Sequence, residues 1–137
     1  MANVTSIQTL VDGPRNVVVK LTGILDTADI ATTTLLLDPA ALSAIDNATG
    51  KLATRLVIDK VSFNVEAGLA VVLYWDATTP VLIGSFVNSG DDMEYKSFGG
   101  LYNNAGTGVT GKIMYGTQGW STSSVYSFTL ILEMRKN

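Results

Sequence analysis

Three acidic residues stand almost together at Asp91, Asp92 and Glu94. Close carboxylates suit calcium, a hard cation that prefers oxygen ligands. Their spacing does not match an EF-hand loop, and aspartate is in any case favoured in turns because it bonds its own backbone. Carboxylates also serve glycoside hydrolysis, which needs two of them roughly 5–10 Å apart across a cleft. The chain holds 12 acids, so some pair must lie close, and the sequence singles out none. Asp59 is the one acid flanked on both sides by strand-forming residues; a bulge there would turn it to solvent. There is no histidine and no cysteine. Ser-His-Asp and Cys-His catalysis, histidine-based zinc sites, thiolate sites and disulfides fall together. The expectation is a protein with no catalytic residues, no cofactor and no metal.

The run Gly99–Gly111 is rich in glycine. Glycine loops that cradle phosphates need a lysine or a following helix N-terminus. Gly111-Lys112 lacks the upstream glycine spacing and the Ser or Thr of a P-loop, so the run reads as a long loop whose glycines take positive φ. Loops of that length are often functional, which makes Leu101 and Tyr102 candidates for subunit contact. Trp120 lies among small polar residues. It could anchor an interface, form a platform for a sugar ring, or fold as a lid over one end of the core; Trp75, closing an apolar run, belongs to the core. At the start of the chain, residues 1–14 form an arm or a first strand. Ile7, Leu10 and Val11 precede the break at Gly13-Pro14. Such an arm can add a strand to a neighbour's sheet edge or pair within its own sheet, and the sequence leaves both open.

Charge narrows the partners. Nine Lys and Arg against 12 acids give a net charge of −3, and the cations are scattered. Nucleic-acid binding needs clustered cations to displace counterions from phosphates, so no nucleic-acid partner is expected. Binding to an anionic membrane is set aside for the same reason. Charged residues make up only 15%, against about 25% in average soluble proteins, and the mean hydropathy is +0.30. No apolar run approaches the ~20 residues of a membrane-spanning helix. No cationic stretch followed by an apolar one opens the chain, so a secretory signal is not expected. Low charge without a membrane span suggests a surface partly covered by other proteins.

The elements that must position these residues are strands. Val17, Val19 and Leu21 alternate with Val18, Lys20 and Thr22, the period of a strand with one buried face. Tyr126, Phe128, Leu130, Leu132 and Met134 share a face in the same way, which predicts a strand over Ser124–Arg135. Ala53–Val65 reads as a long strand whose apolar parity switches across Asp59-Lys60, the mark of a bulge. Leu69–Trp75 and Pro80–Phe86 read as a hairpin joined by the turn Asp76–Pro80. Further strands are expected at Val4–Val11, Leu35–Leu37, Met93–Phe98 and Lys112–Tyr115, with a turn at Asn88–Asp92. One short helix is expected near 39–46, capped by Asp38, with Pro39 first and Leu42 and Ile45 on one side. Strands at this spacing, with connections too short for βαβ units, predict an all-β, single antiparallel β-sandwich over 15–137, with the jelly roll its common eight-stranded form.

In these respects the chain resembles the small capsid decoration proteins of tailed bacteriophages, also called cement or head-stabilisation proteins. The resemblance is carried by the start Met1-Ala2-Asn3-Val4-Thr5, the absence of Cys and His, the Thr/Gly/Val-rich strand pattern and the closing strand Tyr126–Arg135. It implies a virion structural protein on the capsid exterior, made in the host cytoplasm. Its partners would be the major capsid protein and copies of itself, with a homotrimer favoured. The alternative reading is a carbohydrate-binding β-sandwich module of a phage tail or bacterial surface, using Trp120 and Tyr102 as sugar platforms.

Overall fold

A computed structural model describes residues 2–87, 91–122 and 124–137. Two antiparallel sheets pack face to face as a β-sandwich. The five-stranded sheet holds β1 (Val4–Asp12), β2 (Asn16–Leu25), β9 (Tyr126–Lys136), β4 (Leu56–Val65) and β7 (Asp91–Glu94) in that spatial order. The four-stranded sheet holds β3 (Thr34–Leu37), β8 (Ile113–Gln118), β5 (Ala70–Trp75) and β6 (Val81–Val87). The pairing is nested: β2 with β9, β3 with β8, β4 with β7 and β5 with β6. The core is what the alternation requires. Val17, Val19 and Leu21 from β2 meet Phe128, Leu130 and Leu132 from β9, with Leu73, Trp75, Ile113 and Tyr115 from the facing sheet, all buried. Gly23 sits directly opposite Phe128. A Cβ there would come within 2.5 Å of that ring, so glycine lets the ring lie across β2.

The parity switch in β4 is a bulge: the register with β9 shifts between Ile58 and Lys60. Leu56 and Ile58 on one side of it, and Val61 and Val65 on the other, all reach the core. Asp59 is turned away from the core but not into solvent. Its side chain is 12% exposed and held by Arg135, whose Nε–H is 3.0 Å from both carboxylate oxygens.

Two elements depart from expectation. The helix near 39–46 is a single 3-10 turn, Pro39–Ala41. Asp38 caps it as expected, accepting from the Ala40 amide at 3.0 Å. Leu42 is already extended, at φ −88° and ψ 166°, because its burial and the tethering of Ser43 to Asp12 draw the chain away. The Asp46 side chain then bonds the Ala48 amide in a local turn, which competes with a helix. The strand expected over Met93–Phe98 begins at Asp91, ends at Glu94 and gives way to a second 3-10 turn, Lys96–Phe98. Glu94 accepts from the Ser97 amide at 3.0 Å and fixes that turn. Of the turn expected at Asn88–Asp92, residues 88–90 lie outside the described residues; Asp91 and Asp92 belong to β7. Among the described residues no helix is long and apolar enough to cross a membrane.

Candidate interaction surfaces

The acids that could do chemistry are separated or occupied. In β7, Asp91 pairs opposite Phe63, whereas Asp92 and Glu94 pair opposite Ser62 and Lys60. Strand alternation therefore puts Asp91 on the other face from Asp92 and Glu94. No group of three acids able to hold a metal ion occurs among the described residues. A groove of about 390 Å³ on the outer face of the five-stranded sheet is lined by Asp59, Lys60, Glu94, Lys96 and Glu133. Asp59 is engaged by Arg135 and Glu94 by the Ser97 amide. Lys60 lies directly across from both Glu94 and Glu133 and is 3.5 Å from Asp92. Gly99 and Gly100 close over the Asp59–Arg135 pair. Arg135 Nη2 donates to the Gly99 carbonyl at 2.6 Å, and a Cβ on Gly100, at φ +95°, would meet both Val57 and Arg135.

The six residues expected at interfaces fall in three places. Ile7, Leu10 and Val11 line β1, the outermost strand, and are 44–46% exposed. The arm pairs within its own sheet, along the whole length of β2. Both its ends are pinned to the same chain. Asn3 Oδ1 accepts from the Asp26 and Thr27 amides, and its Nδ2 donates to the Ala28 carbonyl. Asp12 accepts from the buried Lys136 ammonium at 2.6 Å and from Ser43. Burial pushes the Asp12 carboxyl up, but the Lys136 and Ser43 hydrogen bonds outweigh it and hold the group below the ordinary carboxylate range. Leu101 and Tyr102 lie beyond β4. Leu101 exchanges two backbone hydrogen bonds with Ile58 and packs against the core, while Tyr102 is exposed. Beside them Phe98 is 68% exposed, edge-on to Tyr95 with 6.0 Å between ring centroids; burial pushes the Tyr95 phenol up. Trp120 is a lid. Its ring packs on the core, its indole N–H donates to the Ser124 carbonyl at 3.1 Å, and its amide donates to Asp29.

The most apolar feature was not among those six. Register puts Leu35, Met114, Tyr74 and Leu82 directly opposite one another across β3, β8, β5 and β6. Their strand neighbours Leu73, Trp75, Ile113 and Tyr115 point to the core, so this row lies on the outer face. Leu35 and Leu82 are 45% and 52% exposed, and Tyr74 and Met114 half-buried. The matching row on the five-stranded sheet reads Gln8, Lys20, Ile131, Ser62 and Asp92. That row is polar apart from Ile131, whereas the row on the four-stranded sheet is an apolar stripe about 14 Å wide at the usual strand spacing. Elsewhere on the five-stranded face Val4 and Ile24 pair directly and stand exposed.

No family model matches the chain, and no curated protein matches it.

The three candidate places and the stripe are distinct surfaces. β2 and β9 separate β1 from β4, and the stripe lies on the opposite sheet. An outer sheet face that presents large apolar side chains gains most by excluding water against a matching surface. In the groove, by contrast, Asp59 and Glu94 are already held by Arg135 and the Ser97 amide.

Proposed function

We propose that this protein is a virion structural protein that decorates and stabilises a bacteriophage capsid, binding the major capsid protein and copies of itself. The observation that carries this reading is the Leu35–Met114–Tyr74–Leu82 stripe, four large side chains in one outward row, where the matching row of the other sheet is Gln8, Lys20, Ile131, Ser62 and Asp92. Such asymmetry suits a molecule that lies flat on a larger protein surface and keeps one face in water. Many modest contacts, repeated by shell symmetry, hold a capsid through effective concentration rather than single-site affinity. The nested pairing of β2 through β9 supports the jelly-roll form of the sandwich, two interlocked Greek keys. Asp59, Glu94 and Asp92 are engaged by Arg135, the Ser97 amide and Lys60, which supports a non-enzymatic role. A sugar-platform reading needs the Trp120 ring free, and that ring is folded inward.

The test is co-sedimentation of the purified chain with capsids of the phage that encodes it. Wild type is expected to be retained. Leu35→Asp and Leu82→Asp, each placing a charge in the stripe, are expected to weaken retention at least tenfold, about 1.4 kcal/mol, with thermal melting little changed. Capsids that fail to retain the wild-type chain would remove the reading. A glycan array bound by wild type and lost in Trp120→Ala would replace it with the carbohydrate-binding one.

A further inference from the structure

The four sheet edges are not equally protected. β7 is short and three of its four residues are acidic; β3 is also short. β6 has seven residues but is broken in its middle by a bulge at Ile83. β1 runs for nine residues, all exposed, and contains neither lysine nor proline. Natural sheets guard long free edges with such residues or with bulges. The one bulge of β1 lies between Thr9 and Val11 and leaves Val4–Thr9 regular. Nor is β1 a loose arm that could be lent to a neighbour, since Asn3 and Asp12 fix both its ends. It is a rigid row of backbone donors and acceptors with one side unpaired.

Its sequence matches itself. Read outward from Ile7 along the regular stretch, Ser6 matches Gln8 and Thr5 matches Thr9, with Val4 and the bulge residue Leu10 beyond them. Two such strands laid antiparallel about Ile7 would set polar against polar, Thr against Thr and aliphatic against aliphatic. Cross-strand pairs of these kinds are the favourable ones. Charge agrees: Asp12, the only charged residue of β1, falls outside the paired stretch and is already held by Lys136. Thr5, Ile7 and Thr9 share the face of Gly23, Leu21 and Val19, the core side of β2. They remain exposed there, a ledge that an identical ledge would continue.

We infer that β1 is the seam between two copies of this chain, paired antiparallel across a two-fold axis at Ile7, so that two five-stranded sheets join into one of ten strands. This names the surface for the self-association proposed above and rests on that part of the reading, not on the capsid contact. Because the contact is isologous, it builds dimers rather than the homotrimer that the family resemblance implies.

The chain lacks cysteine, which permits a direct test. On the axis, Ile7 faces its own symmetry mate. Directly opposed Cα atoms in an antiparallel pair lie about 4.5–5.5 Å apart, inside the roughly 4.4–6.8 Å window of a disulfide. Under mild oxidation Ile7→Cys is expected to convert mostly to a covalent dimer, and Leu82→Cys, on the β6 edge, to stay mostly monomeric. Equal cross-linking of the two, or none at Ile7→Cys, overturns the seam. A charge swap checks the register without oxidation. Ile7→Lys and Ile7→Glu are each expected to dimerise at least tenfold more weakly by sedimentation, and their mixture to regain the dimer. A wild-type trimer that Ile7→Lys leaves intact overturns the seam while self-association stands. A wild-type monomer that still sediments with capsids overturns the seam and leaves the capsid reading untouched.

Discussion

At the scale of single residues, the buried ions of this protein are fasteners. Lys136, its side chain wholly buried, donates to Asp12, to the Ser43 carbonyl and to the Ser43 hydroxyl. Three donors thus meet three acceptors, which is what makes burial of an ammonium tolerable. The pair ties the end of β1 to the end of β9. Since Asp12 is held below the ordinary carboxylate range in the folded state, folding favours its ionised form. That contribution is complete above the unfolded-state value near 3.9 and is lost as pH falls through the lower folded-state value. Thermal melts between pH 7 and about pH 2.5 are expected to show Asp12→Asn less stable than wild type at neutral pH, with the two curves converging in acid. Parallel curves would show that Asp12 adds nothing through its charge. None of this could be read from the sequence, because Asp12 and Lys136 are separated by nearly the whole chain. Asp59 teaches the same lesson. Its position at a break in β4 was legible from the parity of its neighbours, whereas its engagement by Arg135 depends on a strand 76 residues away.

At the scale of elements, period-2 patterns carried most of the information. β2, β4 and β9 appear close to where their alternation puts them, because each has one face committed to the core, and β5 appears where its continuous apolar run puts it. β1, with no buried residue, is nevertheless found where its residues predict a strand, whereas the 39–46 segment was misread. The 39–46 segment has a good cap and a proline start, but only Pro39 and Leu42 are drawn into the interior at that turn, and three residues are too few to sustain a helix. The apolar stripe was invisible for another reason. Leu35, Tyr74, Leu82 and Met114 each look like ordinary strand residues, and only the register of four strands aligns them. The β4 bulge gives this scale its test. Deleting Asp59 removes the extra residue, so Val61 stands two positions after Ile58 and an unbroken strand keeps Leu56, Ile58, Val61 and Val65 on the core face. Inserting one alanine between Lys60 and Val61 instead turns Val61 and Val65 outward, since a one-residue slip reverses every side chain beyond it. With two fully buried aliphatic side chains displaced, the insertion should cost more than about 4 kcal/mol and the deletion much less. Urea unfolding measures both, and a deletion as costly as the insertion would mean that the bulge does not set the phase of β4.

For the molecule as a whole, position in the sheet decides what each strand is for. β9 lies at the centre of the five-stranded sheet, between β2 and β4, and supplies Phe128, Leu130, Leu132 and Met134 to the core. Losing even one such side chain costs about 2–5 kcal/mol, and a whole domain is stable by only about 5–15 kcal/mol. A chain ending at Val125 is therefore expected to show no cooperative unfolding transition at all. β1 contributes no buried residue. A chain beginning at Gly13 loses the Asp12 partner of Lys136 and one layer of edge hydrogen bonds, but keeps every strand that frames the core. It is expected to melt at a lower temperature, still cooperatively, and to have lost the two-fold association. Calorimetry and sedimentation of the two truncations decide the matter together. If removal of β1 abolished the transition, the strand would be part of the folding unit and its exposure would need another explanation. If the shortened chain melted cooperatively but still dimerised, the edge would be structural trim. Cooperative melting with a monomeric mass is the combination expected of a strand that the fold can spare and the assembly cannot.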